Sequence, residues 1–170
     1  LNNGDGTFAP MVNYTAGLAP RWMSVADLDG DDDFDLATAN VDSDDMSILL
    51  NNGDATFAPA VHYPVGADPF HIEAADLDHD NDYDLIVSNA YSNNVSILLN
   101  NGNATYQPAV NYATGVSPRA VSCADFNLDG HLDMVVVNAS TDDAYIFMGK
   151  GNGTFQSPDT YPVAYFPFCV

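Results

Sequence analysis

Apolar residues along this chain come in short groups, each broken by Asn, Asp, Gly or Pro, and the grouping repeats. Segments 22–26, 36–40, 47–50 and 58–63 are short, rich in β-formers and bounded by turn residues, which is the pattern of strands. Nowhere does an apolar stripe of period 3.6 run long enough to make a helix. The string Leu-Asn-Asn-Gly begins at Leu1, Leu50 and Leu99, 49 residues apart each time, and a degenerate copy follows at 148–151. The same interval aligns Phe8, Phe57, Tyr106 and Phe155, then Tyr14, Tyr63, Tyr112 and Tyr161, then Pro20, Pro69, Pro118 and Pro167. The Asn-Asn-Gly-Asp-Gly run at 2–6 signals a hairpin turn, because Asn and Gly tolerate positive φ. Four short strands in a repeat of about 40 to 50 residues predict an all-β chain of four-stranded antiparallel propeller blades. A calcium-stabilised β-solenoid is the rival architecture, but its repeats are usually much shorter.

The register of the repeat sets the expected organisation. Residues 1–170 read as one repeat region, with blades at about 21–69, 70–118 and 119–166. Segment 1–20 reads as the end of a preceding blade and 167–170 as the start of a following one, so an orphan strand is expected at each end. Three blades fall short of the four or so that close a ring. Two expectations follow: the repeats belong to a longer chain, or separate chains complete each other's blades.

Charge changes the picture. The chain carries 24 acidic and three basic residues (Arg21, Arg119 and Lys150), a net charge of −21. Such a surplus excludes electrostatically driven binding to nucleic acid or an anionic membrane and directs attention to bound cations. No apolar run reaches the roughly 18 to 20 residues that span a bilayer, the sequence does not begin with Met, and no signal-peptide pattern is present. Cys123 and Cys169 form no metal-type or redox-type pair. They fall at an odd offset along the aligned strand, so they should face opposite sides and not bond to each other. Five Asn-x-Ser/Thr sequons, at Asn13, Asn94, Asn103, Asn138 and Asn152, favour an extracellular or cell-surface, glycosylated chain.

The chemistry concentrates in three loops, each in the same place in the repeat. They run over 27–35, 76–84 and 125–133, with oxygen-bearing side chains at positions 1, 3, 5 and 9 of each. These are Asp27, Asp29, Asp31 and Asp35; Asp76, Asp78, Asp80 and Asp84; and Asp125, Asn127, Asp129 and Asp133. Position 7 is Asp33, Asp82 or His131, a variation that a main-chain ligand permits. Calcium takes about six to eight hard oxygen ligands, and a tight loop with carboxylates at alternating positions supplies most of them. Absence of soft or imidazole ligands from the fixed positions argues against zinc or copper. Magnesium would prefer fewer protein ligands and more water. An EF-hand is excluded, because position 12 is Thr38, Val87 or Val136 where it needs a bidentate Glu, and the flanks are strand-like. A purely solvating turn has no reason to keep this spacing three times, and crowded like charges are costly without a cation.

Segments 25–31, 35–36 and 47–53, together with their copies, resemble the FG-GAP/VCBS repeat family over essentially the whole chain. The resemblance implies propeller blades, as in integrin α chains, with one calcium in the loop joining the first two strands of each blade, about three ions in all. Carried over by position, the twelve residues just named would be side-chain ligands, and Asp33, Asp82 and His131 would offer main-chain oxygen. The second loop departs from the family pattern, with His79 and Asn81 where Gly is usual, so a slightly strained site is expected there.

Other constellations add little. The four histidines (His62, His71, His79, His131) share no spacing that would build one metal centre. No nucleophile elbow, HExxH helix or phosphate-cradling loop occurs, and almost every repeated carboxylate already belongs to a calcium loop, so no enzyme activity is expected. The aligned aromatics read as packing between blades in preference to a sugar-stacking platform. First among functions stands an extracellular calcium-binding structural or adhesive protein, built from neighbouring repeats or self-associating into a filament or surface layer. A carbohydrate-binding lectin-like propeller with a protein or glycan ligand is the alternative, and an accessory region of a larger enzyme or receptor the third.

Overall fold

The computed structural model describes residues 1–169. Twelve strands form three four-stranded antiparallel meanders. The first contains β1 (Pro20–Ala26), β2 (Asp35–Asn40), β3 (Asp45–Leu49) and β4 (Val61–Pro64). The second contains β5 (Pro69–Ala75), β6 (Asp84–Asn89), β7 (Asn94–Leu98) and β8 (Val110–Ala113). The third contains β9 (Pro118–Ala124), β10 (Asp133–Asn138), β11 (Asp143–Phe147) and β12 (Asp159–Pro162). The first strands of successive sheets lie side by side, β1 by β5 and β5 by β9, so the sheets fan out face to face like blades. They do not close on themselves.

Side-chain alternation explains why the sheets stack. In β6 all six residues are buried, because both faces are covered. Leu85 and Val87 pack with Met46 and Ile48 of the first sheet, whereas Ile86 packs with Val121 and Met134 of the third. Tyr63 meets Tyr106 edge to face at 5.3 Å across the first seam, and Tyr112 meets Phe155 at 5.6 Å across the second. The periodic aromatics at these two seams are thus core between blades, each pair adding about 1 kcal/mol beyond its buried area, whereas Phe8 and Tyr161 are exposed.

Sequence expectations are corrected in two places. The fourth strand of the first sheet begins at Val61 and not at residue 58, since Pro59 lacks an N–H to give to a ladder. Neither orphan strand forms among the described residues. Segment 12–15 matches β4 in the repeat but joins no ladder; at the other end, Val170 lies outside the described residues. The turn expected at 2–6 is present as a five-residue loop, closed by an antiparallel Asn2–Phe8 bridge that recurs at Asn51–Phe57 and Asn100–Tyr106.

Each inner strand is bulged at the same point, leaving Arg21, Phe70 and Arg119 out of the ladder. The bulges turn these side chains into a stack, with the Arg21 and Arg119 guanidiniums 3.9 and 4.2 Å from the Phe70 ring centroid. Neither cysteine is in a disulfide, and burial pushes the Cys123 thiol above its usual range.

Candidate metal centre

The three aspartate loops join the first strand of each sheet to the second, and short polar side chains organise them. Position 1 gathers the loop's own amides. Asp27 accepts from Gly30 at 2.8 Å and Asp32 at 2.9 Å, Asp76 from His79 at 2.8 Å, and Asp125 from Gly130 at 2.9 Å. Position 5 accepts from the amide of position 7 at 2.9 Å in every copy: Asp31 from Asp33, Asp80 from Asp82, Asp129 from His131. Positions 4 and 6 have positive φ throughout, at Gly30 and Asp32, His79 and Asn81, and Leu128 and Gly130. The left-handed backbone therefore belongs to the loop itself, and His79 and Leu128 hold it at a cost of about 1–2 kcal/mol each.

Position 9 does a job that the spacing alone did not assign. Asp35, Asp84 and Asp133 are buried at the start of the second strand. One oxygen of each accepts from the amide of position 2 (Leu28, Leu77 and Phe126, 2.9–3.0 Å). The other accepts from Asn51, Asn100 or Gly149 at 2.8 Å, in the Asn-Asn-Gly loop or its degenerate copy. These carboxylates brace the aspartate loop against its neighbour, and each oxygen keeps a further lone pair.

Position 3 is different. Asp29 Oδ1 and Asp78 Oδ1 are buried with no hydrogen-bond partner. Carboxylate oxygens of Asp27, Asp29 and Asp31 lie within 4.8 Å of one another, as do those of Asp76, Asp78 and Asp84. Burial, then the neighbouring aspartates, raises the Asp29 and Asp78 carboxyls above their ordinary range. Burial likewise raises Asp35, and pushes Asp84 up to about 6 against two backbone hydrogen bonds that lower it. Crowded, desolvated carboxylates with an orphaned oxygen suit a hard cation. Asp27, Asp29, Asp31 and Asp35 would hold one ion and Asp76, Asp78, Asp80 and Asp84 another, with main-chain oxygen from Asp33 and Asp82.

The third loop is arranged otherwise. Asn127 Nδ2 donates to Asp129 Oδ2 at 3.0 Å, and the His131 amide, then Asn127, lowers the Asp129 carboxyl. Among the described residues no trio of acidic oxygens converges there. Asp125, Asn127, Asp129, the His131 carbonyl and Asp133 make a poorer donor set, since an amide replaces one carboxylate.

The loops also reach the next sheet. The carbonyl of Leu28 accepts from Asn100 Nδ2 at 2.8 Å and the Ala104 amide at 3.0 Å; that of Leu77 accepts from the Gly153 amide at 3.0 Å. Asp44, Asn93 and Asp142 each accept from the amide of Asp68, Ser117 or Phe166, 24 residues on, at 2.8–2.9 Å. Sequence reasoning passed over these braces, although their period of 49 was a signal. A cleft of ≈ 480 Å³ opens beside the first loop, lined by Asp27, Asp32, Phe34, Ala74 and Tyr83.

Of the sequons, Asn13, Asn103 and Asn152 are exposed and Asn94 is half-buried. Asn138 is 0% exposed and donates its amide to Asp143 at 2.9 Å, so it is unavailable for glycosylation in the folded chain, a correction to the sequence reading. His62 lies 3.2 Å from Asp45, and His71 stacks on Trp22 at 4.6 Å between ring centroids. The other two histidines meet: His79 Nε2 lies 3.1 Å from His131 Nδ1 across the second seam.

Comparison with known proteins agrees with this architecture. No curated protein matches the chain in sequence. Among solved structures, a lectin of Agrocybe aegerita that recognises non-reducing terminal N-acetylglucosamine superposes with a TM-score of 0.61 at 22% identity. That likeness covers 93% of this chain and 44% of the lectin. A protein from Lactobacillus plantarum gives 0.60 at 12% identity, covering 89% of this chain and 44% of that one. BBS1N, solved in complex with ARL6DN, gives 0.60 at 17%, covering 89% and 47%. The chain thus spans about half the length of these structures, and at such identities the likeness is one of fold. A family model described as FG-GAP-like repeat matches residues 27–87 and 80–136, taking in all three aspartate loops, and the chain belongs to that family.

Proposed function

We propose that this chain is an extracellular, calcium-stabilised part of a β-propeller, with a structural or adhesive role and no enzymatic one. The observation that carries the reading is the pair of orphaned, buried oxygens, Asp29 Oδ1 and Asp78 Oδ1, each in a knot of carboxylates. Bound calcium would supply the positive charge that these groups lack. The neighbouring residues do the rest. Asp35 and Asp84 tie each loop to the Asn-Asn-Gly turn, and Leu28 and Leu77 pass the order on to the next sheet. Carboxylates engaged in this bracing are poorly placed for acid–base work on a substrate.

Neighbouring repeats are the natural partners. The open face of the first sheet leaves Met23 50% exposed, whereas its equivalents Ile72 and Val121, covered by the preceding sheet, are each 1% exposed. Thermal melts with calcium and with EGTA test the reading. Each site filled at a hundredfold excess over its Kd adds about 2.7 kcal/mol, so EGTA should lower the melting temperature by several degrees. An unchanged melting temperature sinks the proposal.

A second reading rests on the cleft beside the first loop. There the exposed rings of Phe34 and Tyr83 flank the Asp27 and Asp32 carboxylates, a pairing of stacking surface with acceptors that suits a sugar. The fold-level likeness to a lectin supports the same direction by analogy alone. Glycan-array binding that is lost in Phe34→Ala and Tyr83→Ala would favour it; an array with no signal would leave the structural role.

A further inference from the structure

Positions common to all three repeats serve the shared fold, so residues that break the pattern and then meet in space call for a separate explanation. His79 stands where the other loops have Gly30 and Leu128, and His131 stands where they have Asp33 and Asp82. These two departures face each other across the seam between the second and third sheets, ring centroids 5.3 Å apart. At the first seam the equivalent residues are Gly30 and Asp82, which offer no such pair.

We propose that His79 Nε2 and His131 Nδ1 form a chelating site for a zinc-class divalent cation, built from ring nitrogens of two aspartate loops, separate from their oxygen sites and linking two blades. The nitrogens are 3.1 Å apart. A tetrahedral zinc with bonds near 2.0–2.1 Å sets two ring nitrogens about 3.3 Å apart, so closing the chelate needs only a small adjustment. The backbones that carry both rings are held. The backbone of His79 is tied to Asp76 at 2.8 Å and that of His131 to Asp129 at 2.9 Å. The His131 ring fills the space that a Cβ would take at Gly151. His79 is exposed and His131 half-buried, so water can complete the coordination. Imidazole prefers zinc, nickel or copper to calcium, so the two kinds of site sort their ions by donor chemistry. The competing account of the same distance is a plain N–H···N hydrogen bond, which needs no metal.

Calorimetric titration of zinc into tag-free, calcium-saturated protein separates the two accounts. One zinc per chain is expected, weakened about tenfold or more in both His79→Gln and His131→Gln and unchanged in His62→Gln. Zinc should also raise the melting temperature of the wild type and of neither seam variant, because only the intact chelate adds a zinc-dependent tie between the two sheets. Unchanged far-UV circular dichroism in all variants checks that they are folded. No zinc binding, or binding that either seam substitution leaves intact, overturns the proposal.

Discussion

Replacing Asp84 with Asn tests the electrostatics of the second loop without removing the side chain. Asp84 is 0% exposed and accepts from the Leu77 amide at 2.9 Å and the Asn100 amide at 2.8 Å. Burial is the largest influence on its carboxyl and carries it from 3.8 up to about 6. A folded-state value above the unfolded one means that the folded chain binds the proton more tightly between those limits. The associated stability is fully present below about pH 3.8 and is lost as pH rises through 6. From these two values, Asp84 gains about 1.3 kcal/mol of folding stability between pH 7 and pH 5. Asn does not titrate, so in EGTA the wild type should gain that amount relative to Asp84→Asn over this interval, about 3 to 5 °C in melting temperature. Comparing the two proteins at each pH cancels His71 and the other titrating groups outside this loop. The variant carries a constant penalty as well, because one amide loses its acceptor. Paired scanning-calorimetry melts at pH 7 and pH 5 give the answer. A gap that stays constant, or moves the other way, refutes the assignment of a desolvated carboxylate at this position. With calcium the sign reverses: the ion needs the charged form, so its stabilising effect should shrink as pH falls through 6.

Three further outcomes are expected. Leu128 has φ +63 and is 88% exposed, so Leu128→Gly should relieve left-handed strain and raise stability by about 0.5–1 kcal/mol in denaturant titrations. Burial lowers His71 to about 4; the folded chain therefore resists protonating it, and stability falls as pH drops from about 6.5 toward 4. In His71→Gln this acid limb should be shallower than in the wild type when melts are followed against pH. Asn100→Ala removes one contact across the first seam, to the Leu28 carbonyl at 2.8 Å, and one within the second sheet, to the Tyr83 carbonyl at 3.1 Å, and should cost about 2–3 kcal/mol. Hydrogen exchange in that variant should rise first at the Ala104 amide, which shares the Leu28 acceptor.

Much of the site was legible because its information is local. The 1-3-5-9 spacing singled out the acidic residues, and the left-handed positions 4 and 6 were visible as Gly30, Asn81 and Gly130. Leu128 was not: nothing in an isolated leucine signals positive φ, which the loop's own hydrogen bonds impose. The bracing role of Asp35, Asp84 and Asp133 was also hidden, since its second partner lies 16 residues away on a separate loop. Asn138 read as a sequon because the motif carries no information about burial.

By itself the sequence determined the period of 49, the short strands and the place of each aspartate loop between two of them. Those features follow from side-chain alternation, turn chemistry and charge spacing, all of which act over a few residues. Tertiary structure alone decided what crosses the seams. It showed which face of β6 meets which sheet, that the Leu28 carbonyl is capped by residues more than 70 positions on, and that His79 meets His131. Such contacts depend on the angle and register at which one sheet settles on the next, which the packing of Met46, Ile48, Leu85 and Val87 sets collectively and no local pattern encodes.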